Sequence, residues 1–101
     1  MTISPERARA VAALRFRALG DGTRLRLLAL LSPGERSVAD LMDATELGQS
    51  LVSHHLRTLR GAGLVTTRRD GRWIYYATNH PALIHAKLVL DELEPLKAEP
   101  R

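Results

Sequence analysis

The sequence predicts a mainly α-helical domain with one small β-hairpin (α+β), and two neighbouring segments predict it. The first is Gln49–Arg60, QSLVSHHLRTLR. At about 100° per residue it places Ser50, Ser53, His54, Arg57 and Arg60 on one side, with Leu51, Val52, Leu56 and Leu59 on the other. The second follows the Gly61-Ala62-Gly63 break. It reads LVTTRR, Asp70-Gly71, RWIYY. Asp-Gly between two β-rich runs predicts a hairpin with a type I′ turn and strands at about 64–69 and 72–77. A helix face bearing hydroxyl, imidazole and guanidinium groups suits base edges in a major groove. An arginine-tipped hairpin beside it suits phosphates or the adjoining minor groove. Together they predict a winged helix-turn-helix.

The remaining elements follow in order. Pro5–Leu19 is rich in Ala and Arg, with Val11, Leu14, Phe16 and Leu19 apolar, and predicts a first helix that Gly20 stops. Asp21-Gly22-Thr23 offers an N-cap oxygen for TRLRLLALL, which Ser32-Pro33-Gly34 ends. Ser37 caps a short third helix, VADLMDAT, with Val38, Leu41 and Met42 inward. Leu47-Gly48 makes the tight turn into the polar-faced helix. Asn79 or His80 opens a last helix, with Pro81 in the first turn, where its missing N–H costs nothing.

At 101 residues the chain is expected to form a single domain over 1–101, with an ordered core at about 10–94 and a frayed tail at 95–101. An apolar content of 45% with 26% charged residues is that of a folded globular protein. No apolar run reaches the roughly 18–20 residues of a membrane span, and MTISPERARAV lacks the pattern of a signal peptide, so a cytoplasmic location with no membrane partner is expected. The absence of cysteine excludes disulfides, thiolate metal sites and thiol redox sensing. Formal charge is +4 over residues 1–36, −3 over 37–53, +4 over 54–72 and −1 over 73–101. Positive charge thus gathers on the helix–hairpin unit, as a nucleic-acid footprint requires, although a solvated basic surface would carry the same excess.

The last helix holds Leu83, Ile84, Ala86, Leu88, Val89, Leu90 and Leu93 around most of its circumference. One small chain can hardly bury such a helix on all sides. A homodimer is therefore expected, with the last and first helices at its interface. Its two polar-faced helices would enter successive major grooves about one turn (~34 Å) apart.

Single residues have competing readings. His54 shares the polar face with Ser50, Ser53 and Arg57 and either contacts DNA or stands exposed without a role. His55 falls within the apolar arc and reads as a buried, hydrogen-bonded histidine. Neighbours on a helix diverge by about 100°, so the pair is not a catalytic or metal dyad. Trp73, Tyr75 and Tyr76 either stack on bases or pack the hairpin onto the helices, with packing the expectation. Arg57 and Arg60 are expected on phosphates. His85 and Glu92, seven apart, share a polar strip of the last helix. They form either an inter-subunit hydrogen bond or a nitrogen/oxygen site for zinc, nickel or cobalt. Lys87, Asp91 and Glu94 line a second polar strip. No Gly-rich phosphate loop, His-Glu-x-x-His helix or positioned nucleophile is present, so no enzyme is expected.

The order DGTRLRLLALL, SVADL, LGQSLVSHHLRTLRGAGLV, RRDGRWIYY, amphipathic helix resembles the ArsR/SmtB family of bacterial repressors over about residues 10–94. The resemblance implies a winged-helix homodimer on a palindromic operator of double-stranded DNA, released when a metal binds. It implies DNA contacts from Gln49, Ser50, Ser53 and His54, and wing contacts from Arg68, Arg69 and Arg72. Members with a metal site at the third helix carry Cys-Val-Cys where this chain has Ser37-Val38-Ala39, so that site is absent. Members with a site on the last helix use acid-x-His, a His eleven residues on and an acid or His three beyond. In one register those positions hold Asn79, Pro81, Glu92 and Pro95; shifted by one they hold Thr78, His80, Asp91 and Glu94. A different reading keeps the winged helix as a co-regulator whose sensing or DNA affinity depends on a partner protein.

Overall fold

The computed structural model describes residues 3–94. In chain order they form α1 (Pro5–Leu19), α2 (Gly22–Leu31), β1 (Arg36–Ser37), α3 (Val38–Thr45), α4 (Gln49–Gly61), β2 (Val65–Asp70), β3 (Trp73–Thr78) and α5 (His80–Leu93). The expected frayed tail at 95–101 lies outside the described residues.

The helices begin where their free N–H groups find side-chain acceptors. Ser4 Oγ accepts from Arg7 N at 3.1 Å, and Asp21 Oδ2 accepts from Arg24 N at 3.0 Å. Ser37 and Asp40 form a reciprocal capping box, at 3.1 and 3.3 Å, that starts α3. Glu46, at φ 60°, ends α3 in the left-handed region, and Gly48 leads into α4 with no side-chain cap. After α4, Gly63 turns the chain at φ 75°. A Cβ there would meet only the flexible end of Arg15, at 3.4 Å, so it is the conformation that favours glycine.

The hairpin is shifted by one residue from the sequence expectation. Asp70 pairs with Trp73 and Arg69 with Ile74, so the two-residue loop is Gly71-Arg72 and not Asp70-Gly71. Gly71 has φ 61°, and no other residue of the turn has a positive φ. Glycine in the first central position matches the II′ pattern, whereas the expected I′ turn would have forced Asp70 into the left-handed region. The two-residue strand β1 was not expected either. It pairs Arg36 with Tyr76 and Ser37 with Tyr75, giving an antiparallel sheet in the order β1-β3-β2.

The core gathers where α2, α3 and α4 meet the start of β2. Leu27, Leu31, Leu41, Val52, Leu56, Leu59 and Leu64 are fully buried there. Tyr76 packs against this cluster and joins the wing to the helices. On the other side α1 packs against α5, with Ala12, Ala82, Ala86 and Val89 buried. Arg15 ties this pair to the end of α4, its Nε donating to Ala62 O at 3.1 Å. None of the described helices is long and apolar enough to cross a membrane.

Candidate nucleic-acid interface

α4 divides as its periodicity requires. Val52, His55, Leu56 and Leu59 are buried, while Gln49, Ser50, His54, Arg57 and Arg60 are exposed and Ser53 lies half-buried at the border. Leu51 departs from the expectation. It sits at the edge of the apolar arc and is 44% exposed, because α2 and α3 cover only the centre of that arc. His55 is buried as expected. Its Nδ1 lies 3.1 Å from Arg24 Nη1, and Arg24 Nε also donates to Ala18 O, closing the end of α1. The backbone N–H of Arg24 holds the Asp21 carboxyl below the usual carboxylate range, with the Arg24 charge adding to the effect. The Asp21–Arg24–His55 cluster therefore fixes the back of α4 against α2 and leaves its polar face outward.

The wing separates two arginines that the sequence grouped together. Successive strand residues face opposite ways. Arg69 shares a face with Val65 and Tyr76, the face turned toward the helices, whereas Arg68 shares the outer face with Tyr75. Arg68 is held by both oxygens of Glu35, lies 3.9 Å from Asp70 and stacks 4.8 Å from the Tyr75 ring centroid. The Arg68 hydrogen bonds hold Glu35 below the usual carboxylate range and raise the guanidinium in return. Arg69 and Arg72 make no side-chain hydrogen bond or ion pair among the described residues. Trp73 overturns the packing expectation: it is 51% exposed at the tip of the wing, beside Arg72, because only the opposite face of β3 meets the core.

The candidate metal ligands do not assemble within one chain. Among the described residues no three His, Asp or Glu side chains lie close enough to hold an ion. His80, Asp91, Glu92 and Glu94 are exposed along α5, and His85 is half-buried with its Nδ1 3.5 Å from Arg15 Nη1. A guanidinium at that nitrogen opposes a cation there, so only Nε2 of His85 remains as a donor. Sequence reasoning found none of the pairs Arg15–His85, Arg24–His55 and Arg68–Glu35. Their members lie 70, 31 and 33 residues apart, and no local pattern links them.

The profile described as "Bacterial regulatory protein, arsR family" matches residues 21–67, from the α2 cap into the wing. An arsenic resistance transcriptional regulator of Pseudomonas putida is 45% identical over 67 residues, 65% of this chain and 52% of the relative. A transcriptional repressor SmtB homolog of Synechocystis is 44% identical over 81 residues, 78% of this chain and 61% of the relative. The chain thus spans between half and two thirds of the length of these relatives. The crystal structure of NolR from Sinorhizobium fredii superposes with a TM-score of 0.70 at 32% identity, covering 96% of this chain and 99% of that one. With the helix order, the exposed face of α4 and the wing in agreement, the chain belongs to the ArsR family of bacterial regulatory proteins and has their winged-helix fold.

Proposed function

We propose that this chain is a DNA-binding repressor acting as a homodimer on an inverted-repeat operator. One observation carries the reading. The outward face of α4 is polar and cationic, and it stands beside a wing whose Arg69 and Arg72 are uncommitted. Ser50, Ser53, His54 and Gln49 would read base edges, while Arg57, Arg60, Arg69 and Arg72 would neutralise phosphates. Arg68 would take a smaller share because Glu35 already occupies it.

A dimer through α1 and α5 is supported by the apolar surface left outside. Ile84, Leu88 and Leu90 of α5 are 50–56% exposed and Leu14 of α1 is 45% exposed. So much apolar surface left outside a small domain calls for a partner, and a two-fold copy supplies one. It would also carry the two α4 helices at the spacing of successive major grooves.

The names of the relatives, arsenic resistance and SmtB, support a metal or metalloid effector. On this chain a zinc, nickel or cobalt ion would need donors from both copies. His85 and Glu92 would supply them on one strip of α5, or His80, Asp91 and Glu94 on another. The ion would act by favouring a dimer geometry whose α4 helices no longer match the groove spacing. No observation favours a separate protein co-regulator.

The test is fluorescence anisotropy with the chain's own upstream region and a scrambled duplex at fixed salt, with and without zinc and nickel. The expected result is selective binding that weakens on adding metal and no longer does so in the His80→Ala, His85→Ala double variant. Equal affinity for the two duplexes would reject the operator reading. Selective binding that ignores both metals would reject the metal effector alone.

A further inference from the structure

A cleft of about 300 Å³ opens between the wing and the start of the helix-turn-helix. It exists because β1 is only two residues long. β1 pairs with Tyr75 and Tyr76 and then bends into α3, so β3 runs on to Ile74 and Trp73 with no strand beside that edge. Val38 and Met42 of α3 line it half-buried, Ile74 lines it from β3, Ala39 is the exposed α3 residue of the lining, and Gln49 lines it from the start of α4. Trp73 and Arg72 also line it, the guanidinium 5.8 Å from the indole centroid.

We propose that this cleft binds a small planar aromatic carboxylate, with its ring against Trp73 and its carboxylate on Arg72. Three observations point to that chemistry. The volume is at the lower end of small-molecule sites, enough for one or two fused rings. Val38, Met42 and Ile74 give the lining an apolar part and Trp73 adds a half-exposed aromatic residue, which together favour a flat apolar body. Arg72 is the sole charged residue among those lining the cleft, and none of them is acidic. Two acids near it in sequence are engaged elsewhere: Asp40 accepts from Ser37 N, and Asp70 lies 3.9 Å from Arg68. A ligand placed here would occupy Arg72 and sit against Gln49, so it would compete with DNA. That consequence rests on the operator reading, whereas binding itself does not.

Trp73 is the chain's one tryptophan, so its indole N–H gives a single side-chain resonance in a nitrogen–proton correlation spectrum. The full chain is titrated with naphthoate and, separately, with neutral naphthylmethanol. The expected result is a saturable shift of the indole resonance with naphthoate. The alcohol and the Arg72→Gln variant should each bind about tenfold more weakly, the scale of one charged hydrogen bond. Ala39→Glu, which adds a carboxylate to the lining, should abolish the shift. An indole resonance that stays still with naphthoate, or that moves equally with the alcohol and in Arg72→Gln, overturns the site. In a second arm, naphthoate should lower duplex affinity for the unsubstituted chain but leave that of Ala39→Glu at its own ligand-free value. An unchanged duplex affinity alongside a saturated indole shift overturns the competition. If no duplex is bound at all, the operator reading fails, and the indole titration still decides the cleft.

Discussion

α4 and α5 are of nearly equal length, 13 and 14 residues, yet one is finished within the chain and the other is not. α4 turns Val52, Leu56 and Leu59 fully inward, and most of what it leaves outside is polar. α5 turns in only Ala82, Ala86 and Val89, and leaves Ile84, Leu88 and Leu90 half-exposed. The number of large apolar residues decides the difference. α4 carries about as many as one core can cover, so its remaining face is free to suit a polar ligand. α5 carries more than this chain can bury, and the surplus suits a second copy. In the proposed reading one helix meets DNA and the other meets a second copy.

The contrast breaks most visibly at α5. Replacing Ile84 and Leu88 together by Asp puts charge on the surplus face at two side chains that are more than half exposed in the single chain. Sedimentation velocity should then find a monomer for the variant and a dimer for the unsubstituted chain. Operator affinity should fall about a hundredfold, because a monomer can grip only one half-site. A variant that stays dimeric would remove α5 from the interface.

The same contrast should appear in monomer stability. Leu56→Ala empties a fully buried position and should cost about 2–5 kcal/mol in a denaturant titration, with the slope unchanged. Leu88→Ala, in the monomeric background, should stay within about 0.5 kcal/mol. Comparable losses at both positions would mean that α5 is packed within its own chain.

A smaller effect separates the two wing arginines. Arg69→Ala should weaken operator and random duplex alike and lower the salt slope by about one phosphate's worth. Arg68→Ala should do less, because Glu35 already holds that guanidinium. Glu35→Gln should in turn free Arg68 and steepen the salt dependence. If Arg68→Ala has the larger effect, the outer face of the wing meets DNA.

The smallest expected effect is on acid stability. Asp21 and Glu35 are both held below the usual carboxylate range in the folded chain, through Arg24 N–H and Arg68 respectively. A depressed carboxylate stabilises fully above its unfolded value, and the stabilisation is lost as pH falls through the folded one. Stability should therefore decline between about pH 5 and pH 2. Double replacement by Asn and Gln should flatten the decline, and an unaltered slope in acid denaturation would show that other carboxylates set it.

Much of this was legible in the sequence, for local reasons. Caps sit next to the helices they start, so Ser37 and Asp21 announced α3 and α2. Periodicity over the twelve residues Gln49–Arg60 predicted both faces of α4, including the burial of His55. What escaped depends on distant partners or on very short elements. β1 is two residues long and exists only because β3 lies beside it. The hairpin register turned on which turn residue takes the positive φ, and Asp70-Gly71 and Gly71-Arg72 both contain Gly71. Leu51 and Trp73 look apolar and therefore buried, but each lies just past the edge of what the core covers. The hold of Glu35 on Arg68 spans 33 residues and left no trace in either segment. The aromatic cleft follows from the shortness of β1 and was equally invisible.

The claim that α4 reads sequence while the wing grips the backbone is tested most directly by one ratio. Operator and random-duplex affinities are measured at fixed salt for the unsubstituted chain and for the Ser53→Ala, His54→Ala double variant. The expected result is a discrimination lower by roughly 1–3 kcal/mol for each base that is no longer read, with random-duplex affinity nearly unchanged. A double variant that weakens equally on both duplexes would contradict it and leave α4 as one more phosphate-binding surface.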